Sequence, residues 1–253
     1  NIVTGEKIQL QCDFFIGFPN DFTVNPIIRN IPYKHISIFT EKFPTTSQPI
    51  SIFCYTHILA KRFDKLYQLL STVSHRFTLY FHNSDDCFSK THAKLLEIPL
   101  LDKIYTQNIA IQPTDRILPL PIGIANQMWK HGDLNAWKRV LEYSIVSKTN
   151  HIYCFFRIET NRAKRSLCYN AVVKHNIPIQ PAQQYEEYLR LLQTFKYAIC
   201  PEGNGLDTHR FWECVYLKVI PICLRNHITE YYSKQYPVML IDSWDEINNI
   251  KII

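Results

Sequence analysis

An arginine and a glutamate three residues apart, Arg210 and Glu213, follow the run Pro201-Glu202-Gly203-Asn204-Gly205, which holds two of the chain's six glycines. Residues three apart share a helix face, with Cβ atoms about 5–6 Å from one another. The spacing of Phe211, Cys214 and Val215 predicts a helix over 208–217, with Asp207 as a suitable N-cap. Apolar runs at 197–200 and 219–223 flank it, so the order is strand, glycine loop, helix, strand. A glycine loop at a helix N-terminus offers backbone N–H donors and the positive end of the helix dipole to a phosphate. A guanidinium there suits a diphosphate, and a carboxylate one turn deeper suits a vicinal diol such as a ribose. The plainer use of Arg-x-x-Glu is an intrahelical salt bridge worth about 0.3–0.5 kcal/mol. The glycine loop in front and the Ile-Pro-Ile strand behind turn the reading towards a nucleotide site.

The elements that must position these residues recur along the chain. Strands are predicted at 14–17, 36–39, 50–54, 77–81, 103–105, 117–120, 151–156, 197–200, 219–223 and 238–241. Helices are predicted between them at 57–71, 88–96, 134–144, 164–174, 184–193, 208–217 and 229–236. Alternation of this kind predicts α/β architecture with mainly parallel sheets. The composition changes at 126–150, where a Pro-rich strand, Leu118-Pro119-Leu120-Pro121, gives way to a polar segment. Two domains are therefore expected, at 1–130 and 145–253.

Pro201, Gly203, Gly205, Asp207, His209, Arg210, Glu213 and the 219–222 strand resemble the signature of exostosin-type glycosyltransferases, glycosyltransferase family 47. The tail Tyr236-Pro237-Val238 through Ile241-Asp242-Ser243-Trp244-Asp245-Glu246-Ile247 is similar to the end of that domain. So is the aromatic strand, Thr and downstream Arg of 153–165. The segments HNSDD and LPIGIAN resemble the short single-domain relatives, including ones encoded by large algal viruses. The specific part of the likeness lies within 197–247. The resemblance implies a GT-B-like fold of two facing Rossmann-like α/β domains. It also implies inverting transfer of a sugar from a UDP-sugar to a hydroxyl of an oligosaccharide or glycoprotein glycan, and the viral likeness favours xylose. Arg157, Arg165, Glu202, Gly203, Asn204, Gly205, Asp207, His209, Arg210 and Glu213 form the expected donor site.

Inverting transfer needs one base for the acceptor hydroxyl. Ligands of open α/β sheets bind beyond the carboxyl ends of the strands, which points to His57 and to His82-Asn83-Ser84-Asp85-Asp86. Asp85 is the first candidate, followed by Asp86, His82 and His57. The same Asn-Ser-Asp-Asp run is equally suited to an Asx-turn and a helix N-cap. In the second half Arg157, Arg162, Lys164 and Arg165 form the densest basic cluster, where a solvated helix start competes with a diphosphate grip.

Absences narrow the chemistry. No Gly-x-Gly-x-x-Gly, P-loop or Gly-x-Ser-x-Gly elbow occurs, which argues against a dinucleotide oxidoreductase, a P-loop NTPase and an α/β-hydrolase. There is no Asp-x-Asp to hold a metal on a donor diphosphate, so leaving-group charge falls to Arg, Lys and helix dipole, and no cofactor or essential metal is expected. The net charge of +6 over 253 residues suits an anionic ligand. A GDP-fucose-type transferase is one alternative. The other is a non-catalytic carbohydrate- or nucleic-acid-binding module on a transferase frame, although neither a Gly loop nor a carboxylate one turn into a helix is needed to grip a nucleic acid. The eight cysteines lack Cys-x-x-Cys spacing, and several sit in apolar runs; no Asn-x-Ser/Thr sequon and no long apolar run occurs. A cytoplasmic setting, the host cytosol for a viral protein, is expected. The chain opens on Asn rather than Met, which leaves an upstream membrane anchor open.

Overall fold

The computed structural model describes residues 2–142 and 147–250. The chain divides into two compact units, Val3–Ile122 and Gly123–Ile253. Each carries its own parallel sheet.

The first unit runs α1 (Gly5–Gln11), β1 (Phe14–Gly17), α2 (Asp21–Val24), α3 (Pro26–Arg29), β2 (His35–Ser37), β3 (Ile50–Tyr55), α4 (His57–Leu70), β4 (Phe77–His82), β5 (Leu101–Thr106) and β6 (Ile117–Pro119). The strands form one sheet in the order β2-β1-β3-β4-β5-β6, with every pairing parallel. In the centre Ile52 pairs with Leu79 and Cys54 with Phe81. These four are fully buried, as strands covered on both faces require. α4 buries Ile58, Leu59, Leu66, Leu69 and Leu70, the apolar stripe that makes it legible as a helix.

Several elements here depart from the sequence reading: the four-residue helices α2 and α3 have no predicted counterpart, and two larger departures follow. The helix expected at 88–96 is a run of tight 3₁₀ turns over Lys90–Glu97; only Leu95 of it is buried, so little packing draws it into a regular helix. α1 has no counterpart among the predicted helices. Its buried face is Gly5, Glu6 and Gln9 instead of an apolar stripe. Glu6 accepts from Asn25 Nδ2 at 2.7 Å, and Gln9 Nε2 donates to Tyr55 OH at 3.0 Å. A Cβ at Gly5 would lie 1.8 Å from Asn83 Oδ1 and 2.6 Å from His82 Nδ1, so a larger residue there would have to displace those side chains.

The second unit runs α5 (Leu134–Glu142), β7 (Asn150–Tyr153), α6 (Arg162–Lys174), α7 (Tyr185–Leu192), β8 (Phe195–Ile199), α8 (His209–Tyr216), β9 (Ile220–Leu224), α9 (His227–Ser233) and β10 (Met239–Ile241). The last residues of the helix predicted at 134–144, residues 143 and 144, lie outside the described residues. The sheet order is β10-β9-β8-β7, again all parallel. One core layer packs Cys154, Cys168 and Val172 with Ile199, Ile222, Ile241 and Trp244.

Apart from Gly123 (φ 65°), left-handed backbone among the described residues falls to Asn83 (φ 63°), Asn108 (φ 51°), Asn176 (φ 54°) and Lys218 (φ 55°). Asparagine tolerates this region because its short polar side chain bonds locally. Lys218 has no such compensation and directly follows the C-cap of α8, Leu217. Among the described residues no helix is long and apolar enough to cross a membrane.

Candidate functional site

Within the second unit, a cleft of about 550 Å³ opens beyond the carboxyl ends of β7 and β8, where ligands of open parallel sheets bind. Its floor includes Tyr153 and Ile199, the last residues of those strands. Pro201 and the first two turns of α8 line it too, along with the start of α7. The cations lining it are Lys130, Arg157, Arg165 and Arg210, and the one carboxylate among the lining residues is Glu213.

Glu213 is buried, and its two oxygens face different partners. Tyr185 OH donates to Oε1 at 3.2 Å and Tyr188 OH donates to Oε2 at 2.5 Å. Arg210 Nε lies 3.4 Å from Oε2, a Coulombic contact without hydrogen-bond alignment. The guanidinium is held from other sides as well. Nη1 donates to Phe155 O at 2.8 Å, and the group lies 4.7 Å from the Tyr188 ring centroid and 5.2 Å from that of Tyr153. Burial penalises the Arg210 charge, but the Tyr188 and Glu213 oxygens outweigh that and raise its pKa above the ordinary value. Burial pushes the Tyr153 phenol up to about 12, and it drives Tyr185 and Tyr188 upward too, so both tyrosines remain protonated donors to Glu213. The sequence pair Arg210–Glu213 is therefore the charged centre of an aromatic cage.

Arg165 braces the glycine loop. Its Nε donates to Glu202 O at 2.9 Å, and Nη1 donates to Arg157 O at 2.8 Å. Asn161 Nδ2 adds a bond to Gly203 O at 2.7 Å. A Cβ on Gly203 would stand 3.3 Å from Arg165 Nη2, so the bare residue permits this close approach. The loop is less open than the sequence implies, because Gly203 N–H donates to Gly205 O at 3.1 Å instead of facing outward. Arg157 is exposed and turned to the cleft.

His209 Nδ1 pairs with Gly123 O at 2.8 Å; donating there in the neutral ring leaves Nε2 as the acceptor nitrogen. His131 lies beside it, with ring centroids 6.1 Å apart, and burial with the neighbouring His209 lowers its pKa.

Other donor-site candidates lie elsewhere in the unit. Glu202 pairs with Lys164 Nζ at 3.5 Å and Asn226 Nδ2 at 3.3 Å. Asp207 is not the helix cap. Both its oxygens accept from Trp212 Nε1, at 2.8 and 3.0 Å, and Thr208 caps α8 instead, accepting from Phe211 N–H. The buried indole needs a partner, and Asp207 supplies it. Glu202 and Asp207 line a separate cavity of about 10 Å³. Asn204 is exposed and Gly205 half-buried; neither lines the cleft. Tyr185, Tyr188, Lys130 and His131 do line it, although nothing in the sequence reading marked them. Tyr185 and Tyr188 stand three apart at the start of a helix, the same spacing as Arg210 and Glu213, and that was the available signal.

The base candidates all lie in the first unit. His82 is buried with both nitrogens committed, Nδ1 to Asn83 N–H at 2.8 Å and Nε2 to Pro121 O at 3.1 Å. Asp86 Oδ2 accepts from Ser84 Oγ at 2.8 Å, closing a tight turn. Asp85 is exposed, and its carbonyl accepts from Asn108 Nδ2. His57 pairs through Nε2 with Asp21 Oδ2 at 2.9 Å. No group of three or more His, Cys, Asp or Glu able to hold a metal occurs among the described residues.

No known protein family and no curated protein matches the sequence.

Proposed function

We propose that the second unit's cleft holds the nucleoside diphosphate of a UDP-sugar, and that the chain is an inverting, exostosin-like glycosyltransferase of GT-B type. The carrying observation is the charge balance of the cleft, where three arginines and a lysine face a single carboxylate already engaged by two phenols and a guanidinium. A diphosphate answers that surplus, with Arg157 and Arg165 its nearest-lying partners in our reading. Glu213 keeps lone pairs beyond those the tyrosines use, since a carboxylate offers about four acceptor sites, so it still accepts from a ribose diol. As the acceptor oxygen bonds to the anomeric carbon, the bond to the diphosphate breaks, and the arginines take up charge that develops on the leaving group. The proton goes to a general base; of the sequence candidates only His82 has both ring nitrogens engaged, which leaves Asp85, Asp86 and His57. The acceptor is the hydroxyl of a glycan, and xylose is the favoured donor sugar. All eight cysteines are free, seven of them buried, which supports a reducing, cytosol-like setting.

Isothermal calorimetry with UDP and GDP tests the reading. UDP should bind, and Arg157→Ala should weaken it by about 1.5–3 kcal/mol, the worth of a charged hydrogen bond. Arg157 is exposed, so its loss leaves the fold intact. Preference for GDP moves the chain to the fucosyltransferase-like reading. Absence of nucleotide binding, with tight salt-sensitive binding of single-stranded oligonucleotides, replaces it with a binding module.

A further inference from the structure

Arg210 and Glu213 stand one helical turn apart, yet they do not form the aligned pair that a guanidinium and a carboxylate favour. Arg210 Nε is buried without a hydrogen-bond partner among the described residues, although Glu213 Oε2 lies only 3.4 Å away. Two phenols hold the carboxylate out of line, Tyr188 on Oε2 and Tyr185 on Oε1 at 3.2 Å. Tyr185 is itself anchored from behind. Nε1 of Trp137, on α5, donates to the Tyr185 OH at 2.9 Å. An indole N–H can only donate and an ionised carboxylate can only accept, so the single Tyr185 proton points at Glu213. The direction of this three-membered chain is thereby fixed, and each bond polarises the next. Trp137 is suited to be its fixed end. Its side chain is 1% exposed, and the indole packs edge-on against Tyr216 at the end of α8, with centroids 5.9 Å apart. Arg139, two residues on, adds a second link to α7 by pairing with Glu186 at 2.8 Å.

We propose that Trp137 is a positioning residue for the nucleotide site: acting through Tyr185, it keeps the Glu213 carboxylate presented to the cleft instead of folded onto Arg210. The proposal rests on the reading of the cleft as a nucleotide site, and it names the group that governs recognition of the ribose hydroxyls. Glu213 is at once the neighbour of Arg210 and the one carboxylate lining the cleft. Arg210 Nε, a buried donor left unmatched, draws that carboxylate towards itself. Breaking the chain frees the carboxylate to turn until it aligns with Nε, and a closed ion pair results. Fewer lone pairs then remain for a ligand, at an angle that no longer meets a diol. Trp137 is not among the residues lining the cleft, so its influence on a ligand has to travel through Tyr185, which is.

Calorimetry on the 253-residue chain with UDP and with dideoxy-UDP, which lacks both ribose hydroxyls, provides the test. Wild type should prefer UDP by about tenfold or more, the effect of a hydrogen bond to a charged group. Tyr185→Phe keeps the ring and removes the OH; it should reduce that preference about fivefold. Trp137→Phe should reduce it to a similar degree, and adding Trp137→Phe to Tyr185→Phe should reduce it no further, because the chain is already broken. A purely structural effect would weaken both ligands alike and leave the preference untouched. A second measurement needs no substitution at Trp137: in a proton–nitrogen NMR spectrum its indole resonance should move when UDP is added to wild type and stay still in Tyr185→Phe. An unchanged preference in Tyr185→Phe, a further loss in the double variant, or an indole that ignores UDP in wild type overturns the proposal while the nucleotide site stands. Absence of UDP binding to wild type overturns the nucleotide reading itself, and the role of Trp137 with it.

Discussion

Glu213 shows how a candidate binding residue becomes inseparable from the packing around it. Its carboxylate receives Tyr185 and Tyr188 and lies against the guanidinium of Arg210. Removing one member of a buried ion pair leaves the other uncompensated, so Glu213→Ala should cost about 3 kcal/mol of stability, read by chemical denaturation. Tyr188→Phe removes a single donor to a charged acceptor and should cost about 1.5–3 kcal/mol on the same measurement. A loss of UDP affinity in either variant has to be read beside its melting curve, while Arg157→Ala carries no such ambiguity. The adjacency of Arg210 and Glu213 was legible from their spacing, because a helix fixes which residues share a face. The tyrosine cage was not, because α7 reaches the pair by packing across 25 or more residues of sequence. Asp207 misled for a related reason. An aspartate before a helix reads as a cap, but a buried indole five residues on drew it away.

Among the elements, Lys148 performs a task invisible from its neighbours in sequence. Its ammonium donates to Gln193 O at 2.8 Å and Leu217 O at 2.9 Å, the C-caps of α7 and α8, where helix dipoles favour a cation. Burial, with Lys218 nearby, nonetheless lowers its pKa from 10.5 to about 8. Between those values the unfolded chain holds a proton that the folded chain has released, so stability rises with pH across that window. Wild type should gain stability relative to Lys148→Met between pH 8 and 10, as followed by urea unfolding. Thr208→Ala should cost about 1 kcal/mol by removing the cap of α8. Regular elements were legible where a stripe or an apolar run marked them, as in α4 and the ten strands among the described residues. α1 escaped because polar residues make up the face it buries, and polar burial has no period to read.

The two units carry separate parallel sheets, and every residue lining the cationic cleft belongs to the second. Residues 123–253 expressed alone should therefore bind UDP within about tenfold of the full chain, measured by calorimetry; a loss much beyond tenfold would show that the first unit contributes to the nucleotide site. Alternating strands and helices made the α/β class legible in advance, since each parallel pair demands a crossover. The balance of charge in the cleft was not legible, because Lys130, Arg157, Arg165 and Arg210 gather from well-separated stretches of the chain.

Lys218 gives the experimenter a practical opening. Its left-handed backbone, just past the end of α8, is a conformation that glycine adopts without penalty, and its positive charge works against Lys148. Lys218→Gly should raise stability by about 1 kcal/mol, because a side chain in that region carries a steric cost of this order. A sturdier parent of this kind would let the more damaging cleft variants be purified and assayed while still folded.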